Sequence, residues 1–144
     1  MEEKNNKDKK YELIKIHHWD GEGYQPCVSY GDWLVALMNW EQGFKITDIG
    51  PIERHNETDE VFVLLEGKSV LFVIYNHQVE AIDMQHGIIY NVPKSTWHNV
   101  LGTENAKWLI VESANTDESN SEYRRMTNDE IKSLFDQLPD WCNK

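Results

Sequence analysis

Two segments indicate the fold, ERHNETDEVFVLLEG at residues 53–67 and GIIYNVPKSTWHN at residues 87–99. In each segment a short apolar run adjoins turn residues, and a histidine lies a few residues before or after the run. His55, Glu57 and Glu60 precede the run of the first segment, and His98 follows the Pro-Lys-Ser turn of the second. If the two segments are neighbours in a barrel, their imidazoles and carboxylates converge. Two histidines and a carboxylate form an open-sided site that suits iron, manganese, nickel or zinc.

Short apolar runs between turn residues continue along most of the chain. They are rich in Val, Ile, Phe, Trp and Tyr and recur about every eight to twelve residues, which is typical of an antiparallel sandwich or barrel. The predicted runs are Tyr11–His17, Trp33–Trp40, Phe44–Ile49, Val61–Leu65, Val70–Tyr75, Val79–Met84, Ile88–Val92 and Lys107–Glu112. We therefore expect an all-β domain.

The ends of the chain have a different composition. Residues 1–10 (MEEKNNKDKK) are polar and are expected to form a flexible tail, which leaves residues 11–112 for the barrel. Residues 113–144 are expected to form a loop and a C-terminal α-helix, with Ser113–Glu122 as an exposed loop. Thr127 and Glu130 have the spacing of a capping box, and apolar residues follow at helical spacing as Ile131, Leu134, Phe135 and Leu138.

Composition limits the partners and the compartment. The 144 residues carry 14 basic and 25 acidic side chains, a net charge of −11, which argues against nucleic acid and against an anionic membrane surface as partners. Cys27 and Cys142 lie far apart without metal-finger spacing and are expected to be reduced thiols. No signal peptide and no apolar run long enough to span a membrane is visible, so we expect a cytoplasmic protein.

The two segments resemble the two sequence motifs of the cupin superfamily. Glu60 is followed by six residues and Gly67, as in the first motif. Gly87, five residues, the Pro93-Lys94-Ser95 turn, two residues and His98 match the spacing of the second. The resemblance covers roughly residues 45–112. It implies a double-stranded β-helix, or jelly-roll barrel, in agreement with the short-strand pattern.

The sequence also departs from these motifs. The first motif of the superfamily carries two histidines, whereas the stretch around His55 has one, and His55 aligns only if the loop is one residue shorter. Ser95 replaces a glycine of the second motif, and Gly102 stands where asparagine is common. The resemblance implies His55, Glu60 and His98 as metal ligands, with Glu57 as a possible fourth. It is equally compatible with a metal-free binding barrel.

Aromatic and basic residues beside the two segments are candidates for ligand binding. Tyr90 and Trp97 flank the second segment and are the first choices for a pocket wall, while most of the other aromatic residues are expected to pack in the core or an interface. Arg54 and Lys94 are the nearest basic residues, and either could orient a carboxylate or phosphate. His17, His18, His77 and His86 are interpreted as surface residues.

Three functions remain open from the sequence. The leading hypothesis is a small cupin that binds a small polar or carbohydrate-like molecule in the barrel mouth, with one divalent metal (Fe, Mn, Ni or Zn) as a possible aid. The second is a metal-dependent isomerase, lyase or dioxygenase in which the metal acts as a Lewis acid or redox centre. The third is a non-catalytic dimerisation module, because exposed sheet edges and the C-terminal helix offer surfaces for a homodimer.

Overall fold

The computed structural model describes residues 13–142, and these fold into two five-stranded sheets packed face to face. Every strand pair is antiparallel. The strands are β1 (Gly23–Tyr30), β2 (Trp33–Asn39), β3 (Ile52–His55), β4 (Glu60–Glu66), β5 (Ser69–Tyr75), β6 (Gln78–Asp83), β7 (Tyr90–Val92), β8 (Trp97–Gly102), β9 (Lys107–Ser113) and β10 (Ser121–Arg124). Helix α1 follows at Asn128–Asp136. The expected all-β jelly roll with a C-terminal helix is confirmed.

The order of strands places the two motif segments in both sheets. Sheet I has the order β1-β2-β9-β4-β7, and sheet II has the order β10-β3-β8-β5-β6. Since β4 lies in sheet I while β3 and β8 lie in sheet II, residues 53–67 and 87–99 meet across the interior of the barrel. The candidate site lies where these two segments meet.

Alternate residues of the strands build the core between the sheets. Along β9, Trp108 and Ile110 are fully buried while their neighbours are half-buried, as expected for one inward and one outward face. The Trp108 Nε1 atom donates a hydrogen bond to the Ser69 hydroxyl (3.0 Å), which ties β9 to β5 of the other sheet. The core between the sheets is therefore fixed by packing and by a buried polar contact.

A second core lies on the outer face of sheet II, where the C-terminal helix covers it. The predicted capping box is present: Thr127 Oγ1 accepts from the Glu130 backbone N–H (3.2 Å), and Glu130 accepts from the Thr127 N–H (2.9 Å). Leu134 and Leu138 of this C-terminal segment are buried against strands β5, β6 and β8. Sheet II is thus buried on both faces.

The outer face of sheet I is apolar but has no such cover among the described residues. Its outward side chains are half-buried in the middle of the sheet and exposed toward the β1 edge. They include Val28, Tyr30, Trp33, Val35, Leu37, Val61, Val63, Leu65, Leu109 and Val111. We call these ten residues the sheet I face.

Three predicted segments differ from the structure. Residues 44–49 do not form a strand, because a 3-10 turn at Gln42–Phe44 reverses the chain and the Gly50 N–H bonds to the Gly43 carbonyl (2.9 Å). Residues 13–17 of the first run lie outside any strand, and Tyr11 lies outside the described residues. Residues 113–122, expected to be a loop, include a 3-10 turn at Glu118–Asn120 and the start of β10.

Four strands, β1, β3, β8 and β10, were not among the predicted runs, because apolar residues do not recur regularly in them. In β8, His98 and Asn99 separate Trp97 from Val100 and Leu101. β1 contains glycine and proline and lies at a sheet edge, where proline is tolerated. β3 and β10 are short and charged, since their side chains face the polar site or pair with each other at a sheet edge.

Two further observations concern the cysteines and the length of the helices. Cys27 and Cys142 are not joined by a disulfide bond. Among residues 13–142, no helix has the length and apolar character needed to cross a membrane.

Candidate metal centre

Glu60 lies at the centre of a group of four side chains inside the barrel that could hold a metal ion, and we call them the metal-ligating group. Its Oε2 atom is 2.8 Å from Nε2 of His98 and 2.9 Å from Nε2 of His55. The Glu53 Oε1 atom lies 3.7 Å from each of the same two nitrogens. One ligand atom from each of the four residues falls within 4.8 Å of all the others.

The positions of the four residues follow from strand pairing. Glu53 on β3 is directly opposite His98 on β8, and His55 lies two residues further along β3, on the same face. These three side chains point from sheet II toward Glu60, the first residue of β4 in sheet I. Neighbouring strands of one sheet and a facing strand of the other therefore assemble the site.

Each of the two imidazole rings is oriented by a contact of its Nδ1 atom on the side away from Glu60. Nδ1 of His98 lies 2.8 Å from the Thr96 carbonyl oxygen, and because a carbonyl only accepts, this nitrogen carries a proton. Nδ1 of His55 lies 2.8 Å from the Ser121 hydroxyl. Nε2 of His98 can thus donate to Glu60 when the ring is charged, or offer its lone pair to a metal ion when the ring is neutral.

The arrangement fits a divalent metal ion. His55 Nε2 is buried and, although close to Glu60, has no hydrogen-bond partner of acceptable geometry among the described residues. Two ligands about 2.1 Å from an ion and at right angles to each other are about 3.0 Å apart, close to the 2.8 and 2.9 Å observed. A donor set of two imidazoles and two carboxylates suits iron, manganese, nickel or zinc.

Burial and charge act against each other at this group. Burial alone would lower the pKa of His98, but the hydrogen bond and the charge of Glu60 raise it above the usual value for histidine. Burial likewise opposes the charge of Glu60, while the close Nε2 atoms of His55 and His98 and the charges of their rings hold its pKa below the ordinary range. The metal-free site is therefore a buried ion cluster in which protons occupy the place of a cation.

A second polar pair lies near the metal-ligating group. The Tyr24 hydroxyl donates a hydrogen bond to Oε1 of Glu112 (2.6 Å), whereas Glu112 Oε2 is buried and has no partner among residues 13–142. Burial, followed by the charge of Glu60, raises the pKa of Glu112 to about 7. Burial and the Glu112 contact also raise the pKa of Tyr24.

A cavity of about 510 Å³ connects these groups. Its wall includes three of the four metal-ligating residues, both members of the Tyr24–Glu112 pair and several aromatic side chains. This volume is within the range of small-molecule sites in proteins.

The structure brings three of the four predicted metal ligands together. His55, Glu60 and His98 converge, while Glu57 is exposed and its Oε2 atom accepts hydrogen bonds from Asn115 (3.3 Å) and Asn120 (3.1 Å). Glu53 occupies the fourth position of the group instead.

The three predicted ligand-binding residues do not line the cavity. The Arg54 guanidinium pairs with Glu122 and stacks on the Trp97 ring at 4.7 Å from its centroid. The Tyr90 hydroxyl accepts a hydrogen bond from the Gln85 N–H (2.9 Å).

The sequence contains weak signals for the residues that were missed. Glu53 lies two residues before His55, so assigning residues 53–55 to a strand would have placed both on one face. Glu112 continues the inward alternation of Trp108 and Ile110 along β9. Nothing local pointed to Tyr24, because its contact with Glu112 depends on the pairing of β1, β2 and β9.

Comparison with known proteins shows the fold. No protein-family model and no curated protein matches the sequence. Among solved structures, a single-residue mutant of Streptomyces PAC13 with uridine is 12% identical with a TM-score of 0.56, covering 77% of this chain and 86% of that one. KdgF from Halomonas sp. is 14% identical with a TM-score of 0.53, covering 72% and 91%.

A third solved structure is similar to the same degree. A single-residue mutant of the 3,4-ketoisomerase QdtA from Thermoanaerobacterium thermosaccharolyticum, in complex with TDP-4-keto-6-deoxyglucose, is 17% identical with a TM-score of 0.51, covering 72% of this chain and 73% of that one. Together with the two sequence motifs, these likenesses establish that the chain has the cupin fold.

Proposed function

We propose that this protein holds one divalent metal ion through His55, Glu60 and His98 and binds a small polar or carbohydrate-like molecule beside it. The buried, unpartnered Nε2 of His55 carries this proposal. A buried nitrogen without a hydrogen bond costs about 1–3 kcal/mol, and a metal ion would satisfy it together with the facing Nε2 of His98.

Glu53 is the proposed fourth ligand. Its side chain is 31% exposed. Its Oε1 atom lies 3.7 Å from Nε2 of each histidine, whereas Oε2 of Glu60 lies 2.8–2.9 Å from the same atoms. Such a ligand can leave or shift when another molecule approaches, and the site would then offer an open position toward the cavity. Both Glu53 and Glu60 line that cavity.

The cavity supports the binding of a small molecule. It is large enough for a monosaccharide or a nucleoside, and Phe44, Phe62, Tyr24 and Tyr123 supply aromatic walls. Two structures with the same fold contain uridine and TDP-4-keto-6-deoxyglucose, which is compatible with a carbohydrate-like ligand here. A bound divalent ion would supply Lewis-acid polarisation of a ligand oxygen.

Metal analysis of the purified protein tests this proposal. Protein prepared without chelator should contain about one iron, manganese, nickel or zinc ion per chain by inductively coupled plasma mass spectrometry. His98→Ala and the shape-preserving Glu60→Gln should both lose it. The matched control is His18→Ala, since His18 is exposed and does not belong to the group.

Folding of the variants is checked by circular dichroism, so that loss of metal is separated from loss of structure. If the wild-type protein takes up none of the four ions, even after incubation with each of them, the metal-binding proposal is wrong.

We also propose that two copies of the chain pair through the sheet I face. The face carries apolar side chains on its central strands, with Val111 on β9 flanked by Val35 and Val61. The five strands of sheet I contain 32 residues and cover about 500 Å² on each copy, or about 1,000 Å² in total, which reaches the lower limit of a specific interface. The charged residues Lys107 and Glu66 lie at the ends of β9 and β4, so the uncharged middle of the face allows two acidic copies to meet without direct repulsion.

Light scattering tests the pairing. The wild-type chain should have twice its monomer mass, and Val111→Lys should convert it to the monomer. Gln78→Lys, an equal change of charge on exposed β6 of the other sheet, should leave the dimer intact. A monomeric wild-type protein, or a dimer that survives Val111→Lys, contradicts the proposal.

A further inference from the structure

We propose that the cavity selects a positively charged small molecule, such as a protonated amine, over neutral and anionic molecules of the same size. This inference rests on the proposed function, because it concerns the molecule that binds beside the metal site. It is carried by the distribution of charge on the cavity wall and by one unsatisfied buried acceptor.

The cavity wall contains carboxylates but no lysine or arginine. Six acidic residues line it, namely Glu41, Glu53, Glu60, Glu112, Asp117 and Glu118. A bound divalent ion offsets the charges of Glu53 and Glu60, which leaves four acidic residues without a basic partner on the wall. Away from the metal, an anionic group in the cavity would meet this field with no lysine or arginine on the wall to pair with.

The nearest arginines are held elsewhere. Arg54 pairs with Glu122 and stacks on one side of Trp97, while Arg124 forms two hydrogen bonds with Glu130 (2.7 and 2.9 Å) and lies over the same ring. Neither lines the cavity. A phosphate or carboxylate of a ligand therefore has no guanidinium available to it without breaking an existing ion pair.

Glu112 offers the specific contact. The residue is only 9% exposed, and Tyr24 satisfies one carboxylate oxygen while the other has no partner among the described residues. A buried acceptor of this kind favours an N–H or O–H donor from a ligand, and a charged donor gives the stronger hydrogen bond. Because its pKa is raised to about 7, Glu112 is mostly ionised at pH 8.

Aromatic rings add to the same preference. Tyr24, Phe44, Phe62 and Tyr123 line the cavity. The faces of such rings attract ammonium groups through their quadrupoles, and this attraction is stronger where water is excluded. Acidic and aromatic groups together thus favour an organic cation.

Paramagnetic relaxation of backbone amides provides the test. Three nitroxides share one five-membered ring and carry an aminomethyl, a carboxamide or a carboxylate group, and each is added to isotope-labelled protein at pH 8. Relaxation at Gly43, Phe62 and Val100, which line the cavity, is compared with the mean over the other assigned amides. The mean corrects for the general attraction of cations by a chain of charge −11.

For each amide we take the relaxation enhancement by the cationic nitroxide divided by that by the anionic nitroxide. We expect this ratio to be about tenfold higher in the cavity than over the rest of the surface. The double variant Glu41→Gln/Glu112→Gln should lower the cavity ratio at least about threefold. The control Glu66→Gln/Glu104→Gln removes the same charge from exposed positions and should leave it unchanged.

A cavity ratio at or below the surface mean overturns the proposal, as does an equal fall in both double variants. The measurement is made on zinc-loaded protein and on protein in chelator. A chain that binds no metal but still concentrates the cation refutes the metal site alone, whereas a metal-loaded chain without enrichment refutes the cation preference alone.

Discussion

Glu60 and His98 come from different sheets and meet inside the barrel, with 2.8 Å between Oε2 and Nε2. Both side chains are almost fully buried, at 6% and 1% exposure. The contact joins the two sequence motifs directly and holds two of the proposed metal ligands next to each other.

Removal of Glu60 should destabilise the metal-free protein. Glu60→Ala leaves two buried imidazoles without their main counter-charge, and we expect the free energy of unfolding to fall by about 3 kcal/mol. Urea denaturation in chelator measures the change. Glu53→Ala is the matched control, because Glu53 is partly exposed and 3.7 Å from the same nitrogens, and it should cost less than about 1 kcal/mol. Equal costs for the two variants would contradict the central role of Glu60.

Gly67 should tolerate no side chain. Its φ is +73°, and an added Cβ would lie 2.7 Å from the Ala106 Cα atom and 2.8 Å from the Ala106 nitrogen. Gly67→Ala should therefore cost about 3 kcal/mol, from backbone strain and a clash with main chain. Gly31→Ala separates the two causes: φ is +56° but nothing lies within 4 Å, so strain alone should cost about 1 kcal/mol. Thermal and urea unfolding of both variants give the comparison, and a smaller cost at Gly67 than at Gly31 would be the opposite of this expectation.

Ser95 occupies a backbone conformation that glycine adopts more readily. Its φ is +62°, and its N–H bonds to the carbonyl of His55 (2.6 Å), so the turn supports the strand that carries a proposed ligand. We expect Ser95→Gly to raise the free energy of unfolding by about 0.5–1 kcal/mol and Ser95→Val to lower it by at least about 1 kcal/mol.

The control for this pair is Ser29, an exposed residue of strand β1. There the order should be reversed, with valine tolerated better than glycine, since strands favour β-branched residues. Urea denaturation measures the free energy of unfolding of the four variants. If glycine and valine rank in the same order at both positions, backbone strain at Ser95 is not the cause of the difference.

Glu130 should make the protein sensitive to acid. It is fully buried, accepts two hydrogen bonds from Arg124 and one from the Thr127 N–H, and the Arg124 contacts lower its pKa to about 2. A carboxyl whose pKa is lower in the folded than in the unfolded state stabilises above pH 4.5. That stability is lost as the pH falls toward 2.

The variant Glu130→Gln should lose about 2 kcal/mol at pH 7 and show a weaker dependence on pH between 4.5 and 2 than the wild type. Glu80→Gln, on the exposed side of β6, should keep the wild-type slope. Chemical unfolding at pH 7, 4 and 3 measures these slopes, and parallel curves for Glu130→Gln and the wild type would refute the role of this carboxylate.

Much of the fold followed from local pattern. The capping box of α1 and most of the central strands were predicted, because inward and outward side chains alternate there and turn residues separate them. The strands that were missed are β1, β3, β8 and β10. Three of them lie at sheet edges or face polar groups, and in β8 His98 and Asn99 interrupt the apolar residues, so no periodic signal marks them.

Sequence alone determined that His55, Glu60 and His98 belong to two motifs of one barrel, because motif spacing is a property of the chain. Only the tertiary structure decided that Glu53 rather than Glu57 joins them, and that Tyr24 and Glu112 meet in the cavity. A side chain's face depends on strand register, and its neighbours depend on which strands pair across the two sheets. Those relationships join residues as far apart as 24 and 112, and no local pattern in the sequence records them.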